Sequence, residues 1–405
     1  MVRDKGSGGI TYDKAKDRWI GTIEAGWTVR GTRRRIKVSA RTKRECQTKL
    51  RAKERELLAA GTPDEGSRSG TTVKAYADQW LEVQAGRLRP GAYGATASQV
   101  RTWIVPTIGH RRLDRLSPAD VRSVYQAALK AGRAVSTANR AHAELGRLLR
   151  DAHEDGHAVP ARVLKVEGPG AGRSDRDAIP LDDAMDILAA ASEKPDAARW
   201  LLAFMEAMRP AEVLGLTWRR VDFDAHTITV DWQLKRLPYS VARDRSSGFR
   251  VPTNYEARQL VGAAHLVRPK TSSGRRTIPM VPWVESALLT WRDVAPKSRH
   301  GLVFPRDADT PRDDAVDRAE FVALQDAAHV ASVDEDDRGR RYDLYEARHT
   351  TATLLRQSGV DDETIIAIMG HASILSTKAY LHSDQARMRE ALAAVEAKFR
   401  PRIGS

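Results

Sequence analysis

Three side chains near the end of the chain have types and spacing suited to attack on a phosphodiester. These are Arg348, His371 and Tyr380, which follow one another within one short stretch. A phenol is a potential nucleophile, and a guanidinium and an imidazole supply charge relief and hydrogen-bond donors for negative charge that develops on phosphorus. The stretch is therefore a candidate site for phosphoryl transfer.

The elements that position these side chains read as two short helices and the start of a third. Gly359 and Gly370 are predicted helix stops, and Asp361 is a predicted cap for the second helix. The pattern alone also fits a tyrosine in the core or at the rim of an amphipathic helix. Apolar residues at helical spacing supply the buried faces: Leu354, Leu355, Ile365, Ile366, Ile368 and Met369.

A second arginine lies far upstream at a predicted helix start. Arg209 is followed by Pro210, which favours the first helical turn, and Glu212 comes three residues after Arg209. An arginine there would hold its guanidinium near oriented backbone N–H groups, an arrangement that favours phosphate. Arginines at helix starts are common, so this segment alone does not distinguish function from ordinary structure.

A lysine stands at the edge of a predicted β-hairpin. Residues 265–270 and 275–280 read as two strands around the turn 271–274, with Lys270 at the turn. An ammonium group there could protonate a leaving oxygen. The alternative is an ordinary lysine that contacts a phosphate.

Together these segments resemble the boxes of the tyrosine recombinases, the phage-integrase family. The resemblance rests on Arg209 with its following acid, on Lys270-Thr271, on Arg348-His349-Thr350, and on Gly370-His371 with Tyr380 nine residues after that histidine. The boxes stand in the family's order, and the general layout is similar over most of the chain.

The resemblance implies a mechanism and a site. Arg209 and Arg348 would clamp the non-bridging oxygens of the scissile phosphate, and His371 would add a donor. Tyr380 would attack to give a 3′-phosphotyrosyl link and a free 5′-hydroxyl, with Lys270 protonating the leaving oxygen. Glu212 and His349 would support these residues. Because the phosphotyrosyl link would retain the energy of the cleaved phosphodiester bond, rejoining would need neither a nucleotide cofactor nor a metal.

One position departs from the family's pattern. Tyr345 stands where the family has a histidine, three residues before Arg348. A phenol can donate a hydrogen bond to a phosphate oxygen, but with an ordinary pKa of about 10 it is a poor proton acceptor near neutral pH. We therefore expect Tyr345 to stabilise the transition state as a hydrogen-bond donor. If a base is required at this position, the imidazoles of His349 and His371 are the groups that could replace it.

Composition and charge indicate a polyanionic partner. The chain has 405 residues, 41% hydrophobic and 30% charged, with a net charge of +14. This favours two or three globular domains and a nucleic-acid partner, with an anionic membrane surface as the second candidate. No apolar run is long enough for a membrane span, and no signal pattern is evident at the start. The single cysteine, Cys46, excludes intrachain disulfides and fits a reducing cytoplasm.

The basic excess is concentrated at the front. Residues 1–60 contain 17 Lys and Arg against 7 Asp and Glu. Three predicted strands and a helix over 43–60, which Thr42 could cap, suit a small module that lies in a DNA groove. The alternative is a solvated basic face on any small domain. The candidate DNA contacts on the third strand are Arg33, Arg34, Arg35 and Lys37.

We therefore predict a mixed α/β multidomain protein. Residues 1–61 would form an arm-type DNA-binding module with a small three-stranded sheet and a helix. Residues 72–166 would form a four-helix core-binding domain. Its second helix would run over 92–105 and end at Pro106, and its third would begin with Ser117 as N-cap and Asp120 in the first turn. Residues 175–400 would form a mainly α catalytic domain with a small antiparallel sheet. The polar segments 62–71 and 167–176 read as linkers. The irregular segment 235–264 receives no assignment, and the helix over 387–399 is predicted to dock either on its own domain or on a neighbouring subunit.

One motif points to a different chemistry. The sequence His153-Glu154-Asp155-Gly156-His157 satisfies the H-E-x-x-H pattern of zinc peptidases. Zinc ligation needs both histidines on one face of an unbroken helix, and Gly156 interrupts that turn. We predict the end of a helix here, and no metal site.

The expected function is site-specific recombination by a cytoplasmic integrase that integrates or excises a phage or mobile element. Double-stranded DNA at attachment sites is the expected partner, with a homotetramer on DNA and accessory DNA-bending or directionality factors. The basic front module favours an integrase over a chromosome-dimer resolving enzyme. The alternative is a non-catalytic, architectural DNA-binding protein of the same fold, with Tyr345 as a mark of decay.

Overall fold

The computed structural model describes residues 9–27, 33–60, 70–170, 178–241, 243–330, 340–370 and 385–399. The chain forms two compact units, Met1–Arg173 and Ser174–Ser405. Within the described parts of the chain, no helix combines the length and the apolar character needed to cross a membrane.

The front of the first unit is a three-stranded antiparallel sheet with one helix. Its strands are β1 (Ile10–Asp13), β2 (Arg18–Trp27) and β3 (Arg33–Ala40), in that order, followed by α1 (Lys43–Ala60). Thr42 Oγ1 accepts a hydrogen bond of 3.2 Å from Glu45 N and caps α1. Gly21 lies so close to the helix that a Cβ there would be 2.8 Å from Leu50 Cδ1. The predicted three strands and helix are confirmed.

A helical domain follows, with a buried apolar core of its own. Its helices are α2 (Val73–Arg87), α3 (Pro90–Gln99), a π-helical turn (Val100–Ile104), α4 (Val105–Ile108), α5 (Pro118–Lys130), α6 (Val135–Glu154) and the short α7 (Ala161–Leu164). Ser117 is the N-cap of α5, as predicted, and it forms a capping box with Asp120.

The predicted helix end at Pro106 is wrong. The backbone of Val105 bonds to Val100 O, five residues back, and the helical path then continues as α4 to Ile108. Proline lacks the N–H that an α-helix needs and its ring crowds the preceding turn. One wider π turn before Pro106 accommodates the ring, so the helix continues.

The H-E-x-x-H segment lies at a helix end, as predicted. Helix α6 stops at Glu154, and Gly156 adopts a left-handed φ of +83°. His153 is exposed, whereas His157 is buried with its ring 5.0 Å from that of Tyr76. The two imidazoles are therefore not on one face of an unbroken helix.

The second unit is mainly helical, with two small antiparallel sheets. Its helices are α8 (Leu181–Ser192), α9 (Ala198–Phe204), α10 (Pro210–Leu214), α11 (Pro282–Val294), α12 (Asp314–Ala327), α13 (Leu344–Gln357), α14 (Asp362–Met369) and α15 (Gln385–Phe399). Its strands are β4 (Val221–Asp222), β5 (Thr227–Val230), β6 (Gln233–Arg236), β7 (Ala257–Val261), β8 (Ala264–Val267) and β9 (Arg276–Pro279). One sheet has the order β4-β5-β9 and the other β6-β8-β7.

The predicted hairpin around Lys270 is wrong, because its two strands belong to different sheets. Strand β8 pairs with β6 and β7, whereas β9 pairs with β5. The segment 268–275 is therefore a connection between sheets. The unassigned segment 235–264 supplies β7 and part of β6. The loop between these strands contains an excursion whose two sides are joined by a hydrogen bond of 2.9 Å from Ser240 N to Gly248 O.

Helix α15 packs on its own domain. Its apolar face, including Leu392, Val395 and Phe399, is fully buried in the core of the second unit. Gln385 Nε2 at its first turn donates to Thr277 O on β9, at 3.0 Å. Of the two predicted docking modes, the structure has the intramolecular one.

Candidate active site

Arg209 and Glu212 form a tight pair at the start of α10. Pro210 occupies the first turn, and Glu212 Oε2 accepts a hydrogen bond of 3.0 Å from Arg209 N. Glu212 Oε1 lies 2.6 Å from Arg209 Nη1. Glu212 is 1% exposed, whereas the Arg209 side chain is 24% exposed. The pair therefore has a buried carboxylate and a guanidinium that reaches solvent.

A second arginine, Arg276 on β9, binds the same carboxylate. Its Nη2 lies 2.9 Å from Glu212 Oε2, and its side chain is only 6% exposed. Gln233 Nε2 approaches Glu212 Oε1 at 3.4 Å. This approach of β6 depends on Gly215, where a Cβ would lie 2.6 Å from Leu234 N. Glu212 therefore links α10, β6 and β9.

Arg348 joins this group from α13. Its guanidinium donates to Ala207 O and to Met369 O, and the residue is 4% exposed. Ala207, two residues before Arg209, has the left-handed φ of +48°, which turns the chain between α9 and α10. The contact ties Arg348 to the turn that carries Arg209. Two arginines far apart in sequence thus lie in one cluster, close enough for their charges to interact.

Three consecutive carbonyls at the end of α14 each accept a hydrogen bond from a different arginine. Arg276 Nε donates to Ile368 O at 2.7 Å, Arg348 donates to Met369 O, and Arg209 Nη2 donates weakly to Gly370 O at 3.4 Å. The C-terminal carbonyls of a helix carry partial negative charge and lack partners within the helix. The end of α14 therefore holds the three guanidiniums together.

Gly370 makes this arrangement possible. It caps α14 with a left-handed φ of +61°. A Cβ at this position would lie 2.9 Å from Ser273 O and 3.0 Å from Arg276 Cδ. The end of α14 thus packs directly on the connection that carries Lys270.

The charges of this cluster are strongly coupled. Burial raises the pKa of Glu212, but Arg276 and Arg209 outweigh burial and lower it to about 2. Burial, and then the charges of Arg209 and Arg276, lower the pKa of Arg348 to about 9, opposed by Glu212. Glu212 and Arg348 are therefore both charged at neutral pH. Three guanidiniums surround one carboxylate, and this excess of positive charge favours the binding of a phosphate.

Tyr345 lies at the edge of the same cluster. It is 40% exposed and lines a cavity of about 460 Å³ beside α10. Burial of part of the ring raises the pKa of its phenol; the charge of Glu212 adds to this rise, and Arg209 opposes it. The phenol is therefore protonated at neutral pH and available as a donor.

The other predicted site residues have different placements. Lys270 is exposed in the connection between β8 and β9, and His349 is exposed on α13, one turn after Tyr345. His371 and Tyr380 lie outside the described residues, as do the side chains of Arg33 and Arg34. In the described parts, no group of three or more His, Cys, Asp or Glu side chains is placed to hold a metal ion.

The predicted DNA-contact strand presents one basic face. Arg35 and Lys37 on β3 are exposed, whereas Ile36 and Val38 between and after them are partly buried. Ala40 on the same strand is buried, as is Cys46 on α1. The alternation separates a charged face from the face that α1 covers.

Arg276 is the site residue that the sequence analysis missed. It stands within the Arg-Thr-Ile-Pro that follows the Lys270 turn. Its neighbours in the sequence, Arg275 and Thr277, are polar as well, so the local pattern gave no signal for it. Its partner Glu212 is 64 positions away, and periodicity does not report such a contact.

Comparison with known proteins identifies the family. The model of the phage integrase family matches residues 178–387, and that of the phage integrase N-terminal SAM-like domain matches residues 72–129. An integrase of Streptomyces ambofaciens is 26% identical over 395 residues, which cover 93% of this chain and 92% of the relative.

Solved structures show the same fold. The Tn1549 transposon integrase in complex with a circular intermediate DNA has a TM-score of 0.59 at 18% identity, covering 78% of this chain and 98% of the other. A lambda integrase tetramer bound to a Holliday junction has a TM-score of 0.55 at 13% identity, covering 93% and 98%.

The chain belongs to the phage integrase family of tyrosine recombinases. It is a site-specific recombinase of the integrase type, an enzyme that breaks and rejoins DNA strands through a tyrosine. The expected family, fold class and reaction are confirmed.

Proposed function

We propose that Arg209 and Arg348 bind the non-bridging oxygens of one scissile DNA phosphate and that Tyr380 attacks its phosphorus. The new bond joins the tyrosine oxygen to the 3′-phosphate as the phenol gives its proton to solvent water. The bond to the 5′-oxygen breaks, and Lys270 protonates that oxygen. Rejoining is the reverse reaction with the 5′-hydroxyl of another strand. The observation that carries this proposal is the cluster of Arg209, Arg276 and Arg348 around one carboxylate.

The supporting roles follow from exposure and donor capacity. His371 and Tyr345 add donors to the phosphate, and His349 lies on the same helix face as Tyr345. Glu212 is too buried to meet DNA, so it orients Arg209 rather than the substrate. Because donors fixed before the reaction cost no reorganisation during it, this arrangement suits a transition state that gains negative charge.

Trapping of the covalent intermediate tests this proposal. A cognate site, taken from the insertion junction of the encoding element, is nicked so that the short cleaved strand diffuses away. We expect a protein–DNA adduct from the parent, and none from Tyr380→Phe. Tyr125→Phe, which removes a phenol in the first unit, is the matched control and should form the adduct. An absence of adduct from the parent on this site would favour the architectural DNA-binding function.

We further propose a separate function for each of three parts of the chain. Residues 1–61 act as an arm-type DNA-binding module, residues 72–166 as the core-binding domain and residues 175–400 as the catalytic domain. The active form is a homotetramer on DNA in the bacterial cytoplasm, assisted by DNA-bending or directionality factors. A tetramer reported for lambda integrase on a Holliday junction supports this assembly.

Salt dependence tests the arm module. Each phosphate contact contributes about 0.9 to the slope of log affinity against log salt. Replacing both Arg35 and Lys37 by alanine should reduce the slope on arm-site DNA by about 2. Adduct formation on a core site should not change. A slope equal to that of the parent would make this strand a solvated basic face.

A further inference from the structure

Arg276 is bound by the protein on every side of its guanidinium. Its Nη2 pairs with Glu212 Oε2 at 2.9 Å, its Nε donates to Ile368 O at 2.7 Å, and its Nη1 lies 3.4 Å from Gly274 O. Only 6% of the side chain is exposed. All three nitrogens of Arg276 are thus engaged, one of them by a carboxylate, which leaves little of this guanidinium for a DNA phosphate. Arg209 by contrast is 24% exposed, and the bonds of Arg348 run from its two Nη atoms to backbone carbonyls.

The carboxylate of Glu212 couples the position of Arg209 to that of Arg276. Arg209 Nη1 is held by Glu212 Oε1, and Arg276 Nη2 by Oε2 of the same group. A bidentate bridge of this kind fixes the plane of the carboxylate and hence the direction of the exposed guanidinium. Arg276 also fixes the end of α14, the helix that leads directly to His371.

We propose that Arg276 is a positioning residue for strand cleavage, which acts through Glu212 on Arg209 and through Ile368 on the end of α14. This proposal rests on the function proposed above. It predicts that loss of Arg276 slows the formation of the covalent adduct while DNA affinity stays nearly unchanged.

Loss of Arg276 has an effect on acidity that loss of a merely structural residue would not have. The charged groups around Glu212 are Arg209, Arg276 and Arg348, and the phenol of Tyr345 is a further titratable group. Without Arg276, burial acts against fewer cations, so the pKa of Glu212 moves upward from about 2. The carboxylate then takes up a proton as pH falls, and its hold on Arg209 weakens.

The activity test compares Arg276→Met with the parent on the nicked site between pH 6 and pH 8.5. We expect a rate of adduct formation roughly 100-fold lower at pH 8, the scale of a misplaced catalytic group. The deficit should grow as pH falls, and Arg276→Lys should be intermediate. Arg275→Met removes the neighbouring side chain, which is half exposed and paired with Glu256, and should keep the shape of the parent's pH profile.

A second test needs no DNA. Stability to urea is compared for Arg276→Met and its parent, both carrying Glu206→Gln, because Glu206 also interacts with Arg276. If Arg276 keeps Glu212 charged, the folded variant has a raised pKa there. The contribution of Glu212 to the stability of the Met variant is then present below that raised pKa and lost above it. The stability deficit of the Met variant should therefore shrink as pH falls from 7 to 5, while its activity deficit grows.

The outcomes separate this inference from the proposed function. A parent that forms no Tyr380-dependent adduct contradicts the proposed function, and the urea comparison still decides whether Arg276 keeps Glu212 charged. A parent that forms the adduct beside an Arg276→Met variant with the same rates contradicts only the role of Arg276. An activity deficit of the same size in Arg276→Met and Arg276→Lys, accompanied by an equal loss of DNA affinity, would show a structural residue without a positioning role.

Discussion

The carboxylate of Glu396, on the last helix, accepts a hydrogen bond of 2.9 Å from the backbone N–H of Trp283 at the start of α11. Glu396 is 4% exposed. The contact joins α15 to the body of the second unit at a point where the first N–H groups of α11 lack partners within the helix.

We predict that Glu396→Ala destabilises the second unit. A hydrogen bond to a buried charged group contributes about 1.5–3 kcal/mol, so the free energy of unfolding should fall by about that amount in urea at pH 7. Glu390→Ala, on the exposed face of the same helix, should change it by less than about 0.5 kcal/mol. Equal losses for the two variants would contradict an anchoring role for Glu396.

A neighbouring acid should make stability depend on pH. Burial raises the pKa of Glu206 to about 8, and Glu396 adds to the rise. Because this is above the ordinary value of 4.5, the stabilising contribution is complete below about pH 4.5 and is lost as pH rises through about 8. Glu206→Gln removes the titration. Relative to the parent, it should gain up to about 1.4 kcal/mol per pH unit between pH 6 and pH 8 in urea unfolding. A difference in unfolding free energy that stays constant from pH 6 to pH 8 would show that the pKa of Glu206 in the folded protein is not raised into this range.

The buried arginine Arg199 should be the costliest single charge to remove. It pairs with Asp196 at 3.0 Å, with Asp317, and with Glu320, and its ring neighbour is Trp200. Arg199→Met leaves Asp317 buried without that partner, and breaking such a pair costs about 3–5 kcal/mol. The exposed pair of Arg318 and Asp314 is the control, and Arg318→Met should cost less than about 1 kcal/mol. Thermal unfolding of both variants checks the contrast.

The phenol at position 345 should act only as a donor. If Tyr345 donates a hydrogen bond to the phosphate as proposed, Tyr345→Phe removes it, so we expect adduct formation to slow about 100- to 1000-fold, with DNA affinity within a factor of about three. Tyr345→His introduces a group whose ordinary pKa is about 6.5. Its rate should acquire a titration between pH 6 and pH 7.5 that is absent from the parent. A titration of the same amplitude in the parent would mean that another group controls the reaction.

Two helix-end glycines allow strain and close contact to be separated. Gly359 and Gly370 have left-handed φ angles of +76° and +61°, but a Cβ at Gly359 would meet nothing within 4 Å. Gly359→Ala should therefore cost only backbone strain, about 1 kcal/mol. Gly370→Ala must also displace Ser273 O or Arg276, so it should cost more and should reduce adduct formation. Equal effects of the two changes on stability and on rate would contradict the close packing at Gly370.

Local signals predicted much of this fold. The capping residues Thr42, Ser117 and Asp361 each began a helix where expected, because a cap depends on residues three positions apart. Alternation likewise located the strands of the N-terminal sheet.

The remaining features depend on partners distant in sequence. Strands β8 and β9 are close along the chain but pair with different strands, so turn chemistry alone predicted a hairpin that does not exist. Pro106 failed as a helix stop because a π turn, which has no clear sequence signal, accommodates it. For the site, the pairing of Arg209 with Glu212 is local, whereas the contact of Arg276 with Ile368 spans 92 positions.

The three carbonyls at the end of α14 have a consequence for how this segment can vary in length. Each residue added to a helix turns its end by about 100° and advances it by 1.5 Å. An insertion or deletion of one residue between Asp361 and Gly370 would aim Ile368, Met369 and Gly370 away from all three guanidiniums at once. The segment should therefore accept substitutions on its exposed face, such as at Glu363, far more readily than any change in its length, whereas the exposed excursion at 243–248 should accept both.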